Sequence, residues 1–194
     1  MLTKEQLVTI MPRLNKVKDV IVEHYLECLN NEMEAGNINT KERIAMFLAQ
    51  IAHESYELRY QREVWGPTIQ QAKYERIQRL PWDNRQLAYR LGNSEKGDGY
   101  LFRGWGVLQT TGRSNTLKVS EVLFGDDLLI KNPELLNDFA IGLKAAVYYW
   151  TSHNLNEWAD KKDIKRVTKL INGGYNGLEQ REKYYNKALS ILSC

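Results

Sequence analysis

Apolar side chains recur at intervals of three and four along almost the whole chain, the spacing of helices that bury one stripe. Thr3 followed by Gln6 has the form of a capping box opening a short helix, which Pro12 closes. Leu14, Val17, Ile21, Tyr25 and Cys28 mark the stripe of a longer second helix that ends near Glu34-Ala35-Gly36-Asn37. Asn39 or Thr40 caps a third, with Ile44, Phe47, Leu48 and Ile51 on its buried face, and this helix runs straight into His53 and Glu54. Residues 68–79 and 83–91 read as two more helices, parted by Pro81 and ended by Gly92. The stretch GNSEKGDGYLFRGWG then holds five glycines in fifteen residues and no period, which predicts a loop or short β segment. Helical spacing returns at 113–123. It dominates 133–152, where Pro133 takes a first-turn position and Ala140, Leu143, Val147 and Trp150 form the stripe. DIKRVTKLI and LEQREKYYNKALSIL predict two last helices around the turn NGGYNG. The fold class is therefore mainly α, with at most a small β element between 56 and 67 or near 100.

Composition narrows the class without naming a function. A chain of 194 residues suits a single domain, 1–194, or one domain with two lobes, and can bury a substantial core. It shows no repeat, low-complexity segment or linker. With 43% hydrophobic and 26% charged residues and four prolines it reads as an ordinary globular protein. A net charge of +3 is too mild to predict nucleic-acid binding, which needs Lys and Arg gathered in a stripe. It does fit work near an anionic polymer or envelope. Cys28 and Cys194 carry no sign of a secreted disulfide scaffold. The N-terminal MLTKEQLVTIMPRLNKVKDV is too charged for a signal peptide, and no apolar run approaches ~18 residues. Synthesis as a soluble cytosolic protein without stable membrane insertion is the expectation, and the simplest oligomeric state is a monomer. A target beyond the membrane would need a separate route of release.

The densest chemistry lies in AHESYELRYQREVW, residues 52–65, with glutamates at 54, 57 and 63. A helix turns ~100° per residue, so in one continuous helix Glu54 and Glu63 would face opposite ways. They can share a cleft only if the helix ends soon after Glu54 and the chain doubles back. Glu57, one turn beyond Glu54, is an equal partner by spacing alone. Separated carboxylates matter because hydrolysis of a glycosidic bond uses a protonated carboxyl to donate to the leaving oxygen. A second carboxylate attacks or activates water. The donor must keep its proton near neutral pH, which calls for an apolar, partly desolvated setting. Glu54 follows the apolar helix end MFLAQIAH, whereas Glu63 stands among Gln61, Arg62 and Trp65.

Other chemistries find less support. A zinc-protease helix would need a second histidine one turn after His53-Glu54, and Glu57 stands there. His24, His53 and His153 make no recognisable metal set with two remote cysteines, and the glycines of GDGYLFRGWG lead into no phosphate-loop Gly-Lys-Ser/Thr. No metal or other cofactor is expected. His53, at a helix end, reads as a structural residue.

Three segments, FLAQIAHESYELRYQREVW, GDGYLFRGWGVLQTTGRSN and LINGGYNGLEQR, resemble glycoside hydrolase family 19 in order and spacing. More narrowly they look like its short phage-endolysin branch, which cuts peptidoglycan, rather than the plant chitinases. The resemblance runs from about residue 40 to 185, and the first and third segments are close matches. It implies a lysozyme-like, two-lobed helical fold with a central cleft. It also implies that Glu54 is the general acid, Glu63 the base that activates water in an inverting mechanism, and Thr111 the hydroxyl that positions that water. Gln109 falls on a cleft-lining glutamine, Asn172 on a sugar-contacting asparagine, and Arg181 on an arginine near the acid. Two departures bear on substrate preference. The family's RGRG is Arg103-Gly104-Trp105-Gly106 here, and its NY is Asn115-Thr116. Trp105 could stack on a sugar face or pack in the interior.

The function so implied is an endolysin cutting β-1,4 bonds of peptidoglycan glycan strands. It would be made in a host's cytoplasm and act in the periplasm after release through a holin-type pore. A chitinase on the same scaffold, a lytic transglycosylase and a non-catalytic glycan-binding module are the alternatives.

Overall fold

The computed structural model describes residues 1–75 and 87–192. The chain divides into two compact units, Met1–Tyr60 with Ala146–Cys194, and Gln61–Ala145. Helix is the dominant state in both.

The first unit is built on the helix Lys41–Glu54. Thr40 caps it, its side chain accepting from the Arg43 N–H, and all eight residues from Ala45 to Ala52 are buried. The predicted stripe thus widens to the whole circumference, the mark of a helix inside a core rather than against one. Burying Phe47, Leu48 or Ile51 stabilises the fold by about 1.5–3 kcal/mol each. Phe47 meets Trp150 edge to face at 5.2 Å, and the Trp150 indole N–H donates to Asn156 Oδ1 at 2.8 Å. The helix Leu178–Ile191 lies along the Lys41–Glu54 helix and contributes Arg181, Tyr185 and Ala188 to the interior.

Local hydrogen bonding explains where the helices start. The Thr3 and Gln6 capping box opens Lys4–Ile10 as expected. The second helix begins later than its apolar stripe suggested. Pro12 starts a separate 3-10 turn, Pro12–Lys16, so Leu14 and Val17 precede the helix Asp19–Ala35. Its buried positions are Val22, Leu29 and Met33, and Ile21 faces outward. The short helix Leu155–Asp160 and the helix Ile164–Asn172 complete this unit with the second half of Phe139–Ser152.

In the second unit the predicted helix 68–79 is helical at Ile69–Ala72, opened by a Thr68/Gln71 capping box, and breaks into turns at 73–75, its last residues, 76–79, lying outside the described residues. The predicted helix 83–91 falls partly on 76–86, outside the described residues, and residues 87–90 are helical. The glycine-rich stretch is not merely loop, because it holds the one-turn helix Asp98–Leu101. The Asp98 carboxylate accepts from the Ser94 and Glu95 N–H groups at 2.9 and 3.0 Å and pairs with Arg113 through two bonds of 2.8 and 2.6 Å. The small β element amounts to isolated antiparallel bridges, Arg62 to Trp105 and Trp105 to Thr110. The predicted helix 133–152 is two elements, a 3-10 turn Pro133–Asn137 and the helix Phe139–Ser152. Among the described residues no helix is long and apolar enough to cross a membrane.

Candidate active site

Glu54 is the last residue of the Lys41–Glu54 helix. Its carboxylate accepts from Arg181, whose guanidinium is fully buried, and its own side chain keeps 17% exposure. Arg181 also donates to Gln50 Oε1 at 2.5 Å, and Gln50 lies one turn before Glu54 on the same helix face. The setting of Glu54 is therefore not the apolar pocket that MFLAQIAH suggested. A buried cation sits beneath the carboxylate, carried there by the Leu178–Ile191 helix. With no exposed surface, Arg181 lies behind Glu54.

His53 stands beside this pair, its Nδ1 2.9 Å from Gln180 Oε1. Burial, then the positive charge of Arg181, hold the imidazole below its ordinary pKa, against a smaller raising effect of Glu54 and Gln180. The ring packs on Gly177, the left-handed residue (φ 71°) that opens the Leu178–Ile191 helix. A Cβ there would overlap the imidazole, so that position requires glycine.

The chain does turn sharply after Glu54. Ser55 caps the helix, its hydroxyl donating to Ile51 O at 2.5 Å and accepting from the Leu58 N–H at 2.7 Å. Tyr56, Glu57 and Leu58 follow with φ of 55°, 62° and 63°, three consecutive non-glycine residues in the left-handed region. Each costs roughly 1–2 kcal/mol. Glu57, the equal partner by spacing, is engaged inside the unit. Its side chain is 5% exposed and accepts from the Arg13 N–H and the Tyr184 hydroxyl, both at 2.6 Å.

Glu63 belongs to the second unit. Its backbone N–H donates to Gly104 O at 2.7 Å, and its carboxylate takes the Gly104 N–H in return at 3.0 Å. Gln71 Nε2 donates to the other oxygen at 3.0 Å. Burial, followed by the charge of Glu63, raises the Tyr74 phenol above its ordinary pKa. Gln71 itself is buried and fully engaged. Its Oε1 accepts from Gly66 and Thr68, and its Nε2 also reaches Val64 O.

Gly104 joins Glu63 to the other expected residues, because the Gln109 side chain lies where a Cβ on Gly104 would stand. Gln109 Nε2 donates to Gly106 O at 2.9 Å. The Thr111 hydroxyl donates to Gln109 O at 2.9 Å, which leaves its oxygen free to accept. The second unit thus gathers Glu63, Gln109 and Thr111 around the Arg62–Trp105–Thr110 bridges. Trp105 takes the packed one of its two possible roles. It is 3% exposed, donates its indole N–H to Leu101 O at 2.9 Å and carries the Arg103 guanidinium over its ring at 4.2 Å. Asn172 is the exposed last residue of the Ile164–Asn172 helix.

Sequence reasoning missed Gln50, Gln71, Tyr74 and Tyr184. Signals existed for two of them. Gln50 is one turn from Glu54, and Thr68-x-x-Gln71 is a capping-box pattern. Tyr74 and Tyr184 had no local signal. Among the described residues no three His, Cys, Asp or Glu side chains are grouped to hold a metal ion.

No family model matches the chain. A Haemophilus influenzae protein named as a glycosyl hydrolase family 19 domain-containing protein is 32% identical to it, over 91% of this chain and 93% of that one. Among solved structures, chitinase C from Streptomyces griseus aligns with a TM-score of 0.67 at 20% identity, over 98% of this chain and 76% of its own. A bacterial family 19 chitinase aligns with a TM-score of 0.68, also at 20% identity, over 98% of this chain and 94% of its own. At that identity the two structures establish the helical fold alone.

Proposed function

The chain belongs to glycosyl hydrolase family 19 and is a glycoside hydrolase, and we propose that it is a phage-type endolysin hydrolysing β-1,4 bonds of peptidoglycan. In this reading Glu54 gives its proton to the leaving oxygen as the glycosidic C–O bond breaks. Glu63 takes a proton from the water whose oxygen attacks the anomeric carbon, and the configuration inverts. Thr111, its own proton committed to Gln109 O, accepts from that water and orients it. Gln109 and Asn172 contact the sugars.

The observation that carries this reading is a pair of carboxylates, each held by its own donors. Glu54 rests on one buried cation at a helix end, and Glu63 accepts from an amide and a backbone N–H. Two carboxylates, one to protonate the leaving oxygen and one to activate water, are what hydrolysis of a glycosidic bond needs. For the substrate, the endolysin-like segments and the +3 charge favour an anionic wall over neutral chitin. The whole chain acts as one monomeric catalytic domain, made in the host cytoplasm and reaching the wall through a holin-type pore.

The test is Glu54→Gln, which keeps an acceptor for Arg181 but has no proton to give. The variant is expected to fold, and lysis of outer-membrane-permeabilised cells should vanish. Retained lysis overturns the assignment of Glu54. Mass spectrometry of digested peptidoglycan should show new reducing ends. Turnover of chitin oligomers without such ends would select a chitinase, the activity named for both structural neighbours. Anhydro-sugar products from an active Glu63→Ala variant would indicate a transglycosylase, and wall binding without cleavage a glycan-binding module.

A further inference from the structure

Behind Glu54 the first unit contains a second acidic anchor with no part in the mechanism above. Glu57 lies in the middle of the left-handed run Tyr56–Leu58, a backbone state that three side-chain-bearing residues do not adopt unless held there. The backbone bonds available, Glu57 N–H to Ala52 O at 2.8 Å and Tyr60 N–H to Ser55 O at 2.9 Å, close the turn on itself. They tie it to the helix end before it, and not to the 3-10 turn Pro12–Lys16 or the Leu178–Ile191 helix.

The tie comes from the Glu57 carboxylate. One oxygen accepts from the Arg13 N–H in the 3-10 turn Pro12–Lys16, and the other from the Tyr184 hydroxyl. The Arg13 guanidinium lies 3.8 Å from the centre of the Tyr56 ring, pinning the neighbouring side chain, with its Nε 4.0 Å from Glu57. Burial and the bond to Glu57 push the Tyr184 phenol well above its ordinary pKa, so it stays a donor throughout the neutral range.

The register of these contacts gives them meaning. Arg181 and Tyr184 are three residues apart on one helix, so they sit on one face. They hold Glu54 and Glu57, also three apart, on the segment opposite. Glu54 is the last helical residue, and its backbone position depends on where the turn after it is tethered.

We propose that Glu57 is a positioning residue which, through Tyr184 and Arg13, locks the left-handed turn so that the Glu54 carboxyl is held on Arg181 in its working orientation. The inference rests on Glu54 being the acid. Misplacing a reacting group by about 1 Å costs on the order of 100-fold in rate, so a loosened turn acts on kcat while substrate contacts elsewhere remain.

Glu57→Gln, Glu57→Ala and Tyr184→Phe test it, with Glu54→Gln as reference, on the full chain acting on purified peptidoglycan well below each variant's melting temperature. Glu57→Gln keeps shape but cannot accept both bonds, and Tyr184→Phe loses one hydroxyl. Each should lower kcat roughly tenfold with KM within about twofold, and shift the alkaline limb of the kcat/KM profile, where the acid loses its proton. Glu57→Ala should lose about 100-fold. If Glu57→Ala does not fold, Tyr184→Phe decides. Folded Glu57→Gln and Tyr184→Phe enzymes with unchanged kcat and pH profile overturn the proposal, even if their melting temperatures fall. An active Glu54→Gln overturns the acid assignment and this proposal together, whereas an inactive Glu54→Gln beside wild-type-like Glu57 variants overturns this one alone.

Discussion

Replacing Arg181 with Met tests how the candidate acid is held. Arg181 is fully buried and donates to Glu54, to Gln50 Oε1 and, more weakly, to Asn176 O at 3.4 Å. Methionine fills much of the volume and supplies no donor. Glu54, 17% exposed, would keep a carboxylate with no counter-charge. Gln50, whose Nε2 already lacks a partner among the described residues, would lose the bond to its Oε1. Removing one member of a buried pair costs about 3–5 kcal/mol. At ~2–4 °C per kcal/mol for a chain of this size, the melting temperature should fall by roughly 6–20 °C. The Glu54→Gln change alone keeps a carbonyl acceptor and should cost less, about 1.5–3 kcal/mol. Once Arg181 is gone, removing the charge of Glu54 relieves rather than harms. A double-mutant cycle by urea denaturation at pH 7 should therefore show a coupling of about 2 kcal/mol. Additivity within about 0.5 kcal/mol would refute the pairing as an energetic unit.

Two further outcomes follow from the same neighbourhood. The folded His53 has a pKa below the unfolded value of 6.5, so below pH 6.5 the unfolded chain binds the proton that the folded chain refuses. Stability should fall as pH drops from 6.5 toward the folded pKa. His53→Gln should flatten that limb in urea midpoints measured from pH 7.5 to 5, and parallel curves for the two proteins would count against it. Gly177→Ala combines a left-handed φ of 71° with overlap of the His53 ring, whereas Gly125→Ala has a similar φ of 74° and open space around it. The first should cost about 2–3 kcal/mol and the second about 1 kcal/mol, read as melting temperatures; equal costs would mean that the imidazole simply moves aside.

Signals whose physics is local were legible in the chain. Thr3, Thr40 and Pro12 mark helix ends through bonds, or a missing N–H, within four residues. Errors arose where an apolar pattern outran those signals. Leu14 and Val17 continue the hydrophobic period, yet Pro12 places the first in a 3-10 turn and the second at its cap. Asp98–Leu101 is one turn long and exists because Arg113, fifteen residues away, closes on Asp98. The candidate site divides in the same way. Glu54 and Glu63 stood out by chemistry and by family resemblance. The Arg181 that holds one lies 127 positions away, and Trp105 carried no local sign of whether its ring would be open or covered.

By itself the amino-acid order determined a helical chain, the family's three segments and two candidate carboxylates, since periodicity, capping and residue chemistry act over a few neighbours. Only the tertiary structure decided that Glu57 is bonded to Arg13 and Tyr184, that a buried guanidinium rather than an oily pocket lies under Glu54, and that Gln71 and the Gly104 N–H close on Glu63. A carboxylate's role depends on its desolvation and its donors. Those donors are brought to Glu54 and Glu57 by a helix at the far end of the chain, through packing that no stretch of sequence encodes alone.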